Sequence, residues 1–495
     1  MKILKVILAV TLIAVVCIGT TGCGELLQIL EYLGTDFYFG DGSYSGSSSS
    51  YIYDYGIDYT DYRILPDIPD RDFHGYGFMI LGEKKSDGSL NDIAADEFNG
   101  DIINDSVYKR NRLVEERYNL RIEGVFHEDP SSIAKKVIAA GLDEYDMFAV
   151  PMSGAARMTT QGFLVNLYDV PYIDFSKPWW DRNANQQLSV ANKLFFTAGD
   201  MLLGDKEAAS VFLFNKMLLM DYGLEMPYQL VKNGLWTVEK MQEMAKAVSM
   251  DLNGDGSMTK YDLFGFVANG DMLYDCVLSS NASLIAKDKD GLPVAGFLSD
   301  RALTSFEKWT DIYYDPNTAF ITWDFDNRFT MFEQSRGLFM NENMLRVPKL
   351  RRQETDFGII PYPKLDVTQA NYRNAVNPSI AGAVSVPVTN PDLDRTGIII
   401  EALSAESRYT VLPAYYDMSL MAKFYRDEES AEMLDIIFYE RCYDLGQIYN
   451  FGGLNEMFID MTKNKNDNFV SQYAKNEARI AAAIDKFIAM LEYLN

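Results

Sequence analysis

Residues 251–262, DLNGDGSMTKYD, place oxygen-bearing side chains at the spacing of a calcium-binding loop. In such a loop, ligands at positions 1, 3, 5, 7, 9 and 12 surround the ion, and a glycine at position 6 permits the sharp bend. Gly256 holds position 6, and position 12 is Asp instead of the usual Glu. The spacing predicts a single structural Ca²⁺ site; the alternative is a surface turn that binds no metal. The predicted ligands are Asp251, Asn253, Asp255, Ser257 through its backbone carbonyl, Thr259 and Asp262.

Composition limits the other chemistry that this chain could perform. Its 495 residues include only two histidines, His74 and His127, and four cysteines, which are too few ligands for a zinc or haem site. Carboxylates are abundant, but no segment supplies a recognisable acid pair, nucleophile motif or phosphate-binding loop. We therefore expect no enzymatic activity and no organic cofactor. The net charge of −26 repels phosphate backbones, so nucleic acid is not an expected partner.

Aromatic residues are a second source of binding chemistry. They make up 13% of the chain and include 31 Tyr. Flat aromatic faces contact the C–H faces of sugars, and neighbouring carboxylates or amides accept hydrogen bonds from sugar hydroxyls. A cleft that combines the two would bind a carbohydrate.

The N-terminus has the pattern of an export signal. Lys2 and Lys5 precede an apolar run of about 13 residues, which is too short to span a bilayer as a helix. The small residues that follow resemble a bacterial lipobox ending at Cys23, although Thr20 replaces the usual leucine. We expect residues 1–22 to be cleaved and Cys23 to carry acyl chains such as palmitate, which would anchor the chain outside the cytoplasmic membrane. The alternative is an ordinary cleaved signal and a freely secreted product.

The segment after Cys23 reads as a tether. Residues 39–50, FGDGSYSGSSSS, have the composition of flexible coil, and a tyrosine-rich stretch follows them. Beyond the tether, Cys276 and Cys442 are the only cysteines left, and we expect two buried thiols instead of a disulfide.

The folded part alternates strands and helices, which predicts α/β architecture. Strands are expected at 78–81, 120–126 and 145–150, with helices at 103–118 and 131–140 between them. A second region repeats the pattern, with strands at 211–214, 263–267, 338–340 and 357–360 and a helix capped by Thr237. The last hundred residues are predicted to be mostly helical, with an apolar stripe from Ile480 to Leu491.

The order of several short motifs resembles the extracellular solute-binding proteins of bacterial ABC importers, of the maltose-binding type. The resemblance extends from about residue 74 to 495. It is carried by YDMFAVP at 145–151, PWWDRN at 178–183, KLFFTAGD at 193–200, FLFNKMLLMDYGL at 212–224, WTVEKM at 236–241, FEQSRGLFM at 332–340, FGIIPYPKL at 357–365 and PAYYDMSLMAKFYRDEES at 413–430.

This resemblance implies a two-lobed α/β fold of the type II periplasmic-binding-protein class, in which each lobe is a sheet flanked by helices and the ligand cleft lies at the hinge. The implied lobe 1 comprises residues 73–200 and 371–412, and lobe 2 comprises 201–368 and 413–495 with the C-terminal helices, after a tether at 23–72. The implied function is capture of a sugar or oligosaccharide by hinge closure, by a monomer that delivers it to ABC permease subunits. A secreted carbohydrate-active enzyme, or a peptide-binding or sensory surface lipoprotein, remains an alternative.

The resemblance also implies positions for the ligand contacts. Met344 stands where a maltose-binding protein has a stacking tryptophan, and Phe451 falls near another stacking position, so the identity of the sugar stays open. The implied ligand-binding residues are Trp179, Trp180, Asp200, Trp323, Asn341, Glu342, Met344, Tyr415, Tyr416 and Phe451.

Overall fold

The computed structural model of the chain describes residues 63–84, 91–352, 355–421 and 428–493. All of them belong to the second of two units of the chain, Ile57–Asn495. The predicted signal, the lipidated Cys23 and most of the predicted tether lie outside the described residues. No helix in the described ranges is long and apolar enough to span a membrane.

The first sheet has four strands in the order β12-β3-β1-β2. Strands β1, β2 and β3 are parallel, and β12 runs antiparallel to β3. Their bounds are β1 Tyr76–Glu83, β2 Leu120–His127, β3 Met147–Pro151 and β12 Gly382–Ser385. The helices that follow β1, β2 and β3 are α1 Ile102–Tyr118, α2 Pro130–Ala139 and α3 Met152–Thr159.

A connecting region leads from the first sheet to the second. Its helices are α4 Arg182–Leu188 and α5 Gly204–Glu207. A 3₁₀ turn, Leu167–Asp169, precedes them.

The second sheet has five strands in the order β10-β4-β9-β5-β8. Strand β5 is parallel to both β8 and β9, whereas β4 is antiparallel to β9 and to β10. The strands are β4 Ser210–Asn215, β5 Phe264–Asn269, β8 Ala319–Thr322, β9 Gly337–Asn343 and β10 Phe357–Ile360. The associated helices are α6 Lys216–Asp221, α7 Pro227–Lys232, α8 Val238–Val248, α9 Leu273–Ser279, α10 Asp300–Tyr313 and α11 Phe325–Glu333.

Two small ladders and a helical C-terminal part complete the fold. The ladders are the hairpin of β6 Ile285–Lys287 with β7 Pro293–Ala295 and the parallel pair of β11 Asn374–Ala375 with β13 Arg441–Cys442. A 3₁₀ segment, Met344–Arg352, follows β9. The remaining helices are α12 Leu393–Tyr409, α13 Val411–Met421, α14 Glu428–Tyr439, α15 Leu445–Tyr449, α16 Leu454–Lys463 and α17 Phe469–Tyr493.

The predicted α/β fold class is confirmed, and most elements lie within a residue or two of their predicted bounds. Strand β9 is an exception, since it continues through Asn343 instead of ending at Met340. Its polar end is fully buried because each side chain has a partner inside the protein. Asn341 donates to the Tyr313 hydroxyl at 2.8 Å, and Glu342 pairs with Arg328 at 2.8 Å. The predicted lobe boundaries stay a prediction.

Candidate functional site

In each main sheet, the carboxyl ends of the parallel strands lie on one side, which we call the carboxyl edge of the sheet. In the first sheet this is the carboxyl edge of β1, β2 and β3, where the antiparallel β12 begins with Gly382 opposite Pro151. In the second sheet it is the carboxyl edge of β5, β8 and β9, where β4 begins with Ser210 opposite Asn343. Ligands of open α/β sheets bind in the crevice outside the carboxyl ends of the strands. These two edges are therefore the expected positions of a binding site.

The segment 204–208, which comprises helix α5 and the residue after it, contacts both carboxyl edges. On one side, Gly204 lies so close to the start of β12 that a Cβ on it would be 2.5 Å from the Gly382 nitrogen. On the other side, the Ala208 carbonyl directly after α5 accepts a hydrogen bond from Asn343 Nδ2 at 3.1 Å. The chain thus brings the two edges to the same short segment.

A cavity of about 530 Å³ opens at the carboxyl edge of the first sheet. This volume lies within the range of small-molecule sites, roughly 300–1,000 Å³. One of its walls is fixed by Asp92, whose Oδ2 accepts a hydrogen bond from the Leu203 N–H at 2.6 Å. The lining combines carboxylate, amide and ammonium groups with an aromatic ring and small residues: Glu83, Lys84, Asn91, Asp92, Ile93, Phe126, Ala149, Leu202, Gly204 and Gly382.

The residues that line this cavity are not among the ligand contacts predicted from the sequence. The available signal was topological: Glu83 ends the first strand and Phe126 is the penultimate residue of the second. Residues at the ends of adjacent parallel strands share an edge of the sheet. The contribution of Leu202, Gly204 and Gly382 depends on the tertiary packing of α5 against β12.

Two of the predicted ligand contacts, Trp179 and Trp180, are buried in the core. Both indole N–H groups donate to Glu401 in α12, Trp179 to Oε1 at 3.0 Å and Trp180 to Oε2 at 2.9 Å. Burial raises the pKa of Glu401 to about 7, although the two indole donors favour its charged form. In this structure the pair anchors α12 to the connecting region.

Asp200, the third predicted contact, belongs to a buried network of charges. Its carboxylate lies 3.5 Å from Lys206 Nζ and 3.3 Å from Arg408 Nη1. Burial raises the pKa of Asp200, while Lys206 and Arg408 act to lower it. Asp200 is therefore compensated by protein cations.

The network continues from Lys206 to β13. Lys206 Nζ lies 3.3 Å from Asp205, Arg441 lies 3.0 Å from Asp205, and Arg441 also pairs with Asp181. The Tyr443 hydroxyl donates to Asp181 at 2.9 Å. Burial acts to raise the pKa of Asp181, but Arg441 together with the Ala184 N–H and the Tyr443 hydroxyl holds that pKa below its ordinary value. Three carboxylates and three cations thus balance in the interior, joining the connecting region to α12 and β13.

The other predicted contacts, apart from Trp323, support the fold from within. Asn341, Glu342, Met344, Tyr415 and Phe451 are buried, and Tyr416 is half-buried. Tyr416 packs edge-on against Phe438, and Phe451 stacks on Tyr449 at 5.4 Å between ring centroids. Direct ligand contact at these positions, as at Trp179, Trp180 and Asp200, stays a prediction.

Trp323 is the predicted contact that presents its ring to solvent. It follows β8 directly and is 40% exposed. Its ring covers Gly270, the residue after β5, since a Cβ on Gly270 would lie 2.2 Å from Trp323 Cε2. Trp323 thus lies at the carboxyl edge of the second sheet.

The predicted calcium loop is held by hydrogen bonds between its own side chains and amides. Asp251 accepts from the Gly254 and Gly256 N–H groups at 2.7 and 2.8 Å. The Thr259 amide donates to Asp262, and this contact holds the pKa of Asp262 below its ordinary value. Among the described residues, no group of three or more His, Cys, Asp or Glu side chains could hold a metal ion. Calcium binding at this loop stays a prediction.

Cys276 and Cys442 are both buried free thiols, which confirms the prediction made for them. Cys276 Sγ lies 3.5 Å from the Tyr313 hydroxyl, and burial raises the pKa of its thiol.

No protein-family model matches the sequence, and no curated protein matches it. Solved structures do match. UspC of M. tuberculosis is 14% identical and covers 82% of this chain and 100% of its own, with a TM-score of 0.55. A cyclo/maltodextrin-binding protein complexed with maltotetraose is 14% identical and covers 86% of this chain and 97% of its own, with a TM-score of 0.54.

A third structural match is the GacH receptor of Streptomyces glaucescens, which was solved unliganded and in complex with acarbose. It is 12% identical and covers 84% of this chain and 99% of its own, with a TM-score of 0.50. At these identities the matches concern architecture. The chain therefore has the two-lobed α/β fold of the maltose-binding type of solute-binding protein.

Proposed function

We propose that this protein is the lipid-anchored, extracytoplasmic substrate-binding component of an ABC importer, and that it captures an oligosaccharide by hinge closure. The observation that carries the proposal is the cavity of about 530 Å³ at the carboxyl edge of the first sheet, beside the segment that both sheets contact. A ligand held there would contact the connecting region, whose rearrangement can move one sheet relative to the other.

The lining of the cavity favours a carbohydrate over a purely apolar ligand. Glu83, Asn91 and Asp92 supply oxygens that accept hydrogen bonds from hydroxyl groups, and Asn91 and Lys84 supply donors. Phe126 supplies an apolar face beside them. The structural neighbours include proteins solved with maltotetraose, acarbose and cycloalternan, which supports the same class of ligand.

We propose that the protein binds the sugar and releases it chemically unchanged. The alternative is a carbohydrate-active enzyme, for which Glu83 and Asp92 would be the carboxylates to consider because both line the cavity. Asp92 already accepts a hydrogen bond from the Leu203 amide, which indicates a role in fixing the cavity wall. The two functions differ in whether the sugar leaves unchanged.

The proposal is tested by calorimetry and thermal unfolding against a panel of neutral oligosaccharides comprising maltotetraose, cellotetraose, xylotetraose, mannotetraose and raffinose, with pentaalanine as the peptide probe. We expect one or more sugars to raise the unfolding midpoint by mass action and to be recovered intact by mass spectrometry. Glu83→Ala should weaken binding, whereas Glu116→Ala, an exposed position on α1, should not. Binding of pentaalanine alone, or release of shortened sugars, would contradict the proposal.

The anchor and the permease are tested separately. Wild-type protein should partition into the detergent phase and carry acyl chains on Cys23, whereas Cys23→Ser should be released into the aqueous phase. The loaded monomer should co-purify with two membrane permease subunits in cross-linked membranes. A wild-type chain that is found only in the aqueous phase would favour the freely secreted alternative.

A further inference from the structure

A second cavity of about 430 Å³ shares no lining residue with the one at the carboxyl edge of the first sheet. Its walls come from helix α4, from the hairpin strand β6 and from the segment that leads from β13 into α15. The volume lies within the range of small-molecule sites, roughly 300–1,000 Å³. This second cavity is therefore large enough to hold a ligand of its own.

Lys287, the last residue of β6, brings a positive charge to the second cavity. Its Nζ donates to the Gln186 carbonyl at 2.8 Å, and no carboxylate in the described part of the chain forms an ion pair with it. Burial lowers the pKa of Lys287 to about 8, so the side chain is still charged at neutral pH. Two of the three N–H groups of this ammonium remain for a ligand.

The other two charged residues of the wall, Arg373 and Asp444, offset each other. Burial raises the pKa of Asp444 to about 6, and the charge of Arg373 is among the effects that act to lower it. Asp444 Oδ1 also accepts hydrogen bonds from the Gln447 N–H at 2.9 Å and from the Tyr274 hydroxyl at 3.0 Å. The surplus of the wall is therefore one positive charge, that of Lys287.

Gln187 in α4 adds amide donors beside this charge. Its Oε1 accepts a hydrogen bond from the Tyr443 N–H at 2.8 Å, and both residues line the second cavity. Because the oxygen is engaged in this way, the orientation of the amide is fixed, and none of the described residues accepts from its Nε2. The carbonyl that Lys287 contacts belongs to the preceding residue, Gln186, so the two donor groups are neighbours. Ammonium and amide donors together suit an anionic oxygen.

Much of the remaining wall is apolar, which suits the carbon skeleton of an organic molecule better than a bare inorganic ion. A single surplus charge also matches a carboxylate better than a phosphate ester, which carries about −1.5 to −2 at pH 7. The apolar residues of the wall are Leu278, Ala282, Ile285, Ala286 and Leu445.

We propose that the second cavity binds a small organic monocarboxylate, whose carboxylate pairs with Lys287 and accepts hydrogen bonds from Gln187 while its carbon skeleton contacts the apolar wall. The proposal goes beyond the proposed function and does not depend on it, because none of the residues that line the first cavity takes part.

Calorimetry at constant ionic strength tests the site with three monocarboxylates of different skeletons, D-glucuronate, L-lactate and phenylacetate, each compared with its neutral amide. At least one of the acids should bind at millimolar concentration, and its amide should bind at least about tenfold more weakly. Equal binding of the acid and its amide would overturn the proposal, and so would the absence of binding by all three acids. Tighter binding of glucose 6-phosphate than of every monocarboxylate would contradict the assignment to a single charge.

A matched pair of lysine variants locates the bound anion. Lys287→Met keeps a long side chain but removes the charge, so it should weaken binding of the acid about tenfold or more. Lys289→Met makes the same change of net charge in the same hairpin, at a side chain that is 89% exposed, and should leave the affinity unchanged. Lys287→Arg, which restores a cation, should recover part of the affinity.

Gln187→Glu tests the amide donors. The variant keeps an oxygen for the Tyr443 N–H but replaces the Nε2 donors by a second carboxylate oxygen, so it should weaken binding at least as much as Lys287→Met. Each variant is first checked for a wild-type unfolding midpoint. Equal affinities in wild type, Lys287→Met and Gln187→Glu would show that the acid binds elsewhere and would refute the site.

Discussion

Buried acidic side chains in this protein differ in what compensates their charge. Glu401 receives two indole N–H groups, and burial raises its pKa to about 7. Asp181 is also buried, but Arg441 and the Tyr443 hydroxyl contact it and its pKa is lowered. A neutral donor offsets less of the desolvation of a carboxylate than a guanidinium does.

Glu401 should make stability depend on pH. Its pKa is about 7 in the folded state and 4.5 as the ordinary value, so folding favours the protonated form. The stabilising contribution is complete below pH 4.5 and is lost as pH rises through about 7. In wild type, we expect the free energy of unfolding to fall by about 3 kcal/mol between pH 4.5 and 8 because of Glu401. Glu401→Gln, which keeps an acceptor for the indoles, should abolish this loss.

Urea unfolding of both proteins across this range measures the difference. The exposed Glu116→Gln variant controls for the change of charge and should follow wild type. Parallel pH profiles of wild type and Glu401→Gln would show that Glu401 does not titrate in this range.

Arg441 should be among the least replaceable charged residues. It is buried and contacts both Asp181 and Asp205, so Arg441→Ala leaves two carboxylates without their shared cation. We expect a loss of about 3–5 kcal/mol in the free energy of unfolding. Lys289→Ala, which removes an exposed pair with Asp290 at 3.9 Å, should cost no more than about 1 kcal/mol. Denaturant titration of the two variants checks the contrast, and similar losses would contradict it.

At the scale of elements, local sequence determines helix starts and strand positions well. Thr237 was expected to begin a helix, and its hydroxyl accepts from the Lys240 N–H at the start of α8. The sequence predicts strand β9 at the right position but too short, because the polar residues Asn341 and Glu342 suggest the end of a strand. Their partners, Tyr313 and Arg328, are distant in sequence and could not be paired with them from the sequence.

The loop at 251–262 is the element whose chemistry is most open to measurement. If it binds calcium, added Ca²⁺ should raise the unfolding midpoint of wild type and a chelator should lower it. Asp251→Ala, which removes a predicted ligand and two loop hydrogen bonds, should lose the response. Asp290→Ala, in the β6–β7 turn, should keep it. An unchanged midpoint in wild type, or the same response in Asp251→Ala, would identify the loop as a turn without metal.

At the scale of the whole molecule, the two carboxyl edges meet at one connecting segment that also carries buried charges. Asp200, Asp205 and Lys206 lie on that segment, and their partners Arg408 and Arg441 come from α12 and β13. Such a network favours a few defined arrangements of the connecting segment over continuous deformation. The reason is that each broken ion pair would leave a buried charge without a partner.

If the ligand is held by hinge closure, the loaded protein should be more compact than the free protein. We expect the radius of gyration from small-angle X-ray scattering to fall when a sugar identified by calorimetry is added, because closure brings the two sheets together around it. Trp323→Ala at the same sugar concentration should show a smaller change, since less of it is loaded. An unchanged radius with saturating sugar would argue against hinge closure.

The sequence alone determined the α/β class, the order of the elements, the resemblance to maltose-binding-type proteins and the burial of Cys276 and Cys442. These follow from local periodicity, capping residues and motif order, which act over short stretches of chain. The site could not be read in the same way. Trp179 and Trp180 are turned inward by Glu401, about 220 positions away, while Phe126 gains its place from Gly82 on a neighbouring strand. Which aromatic face is covered and which is open depends on contacts between distant segments, and only the tertiary structure decides that.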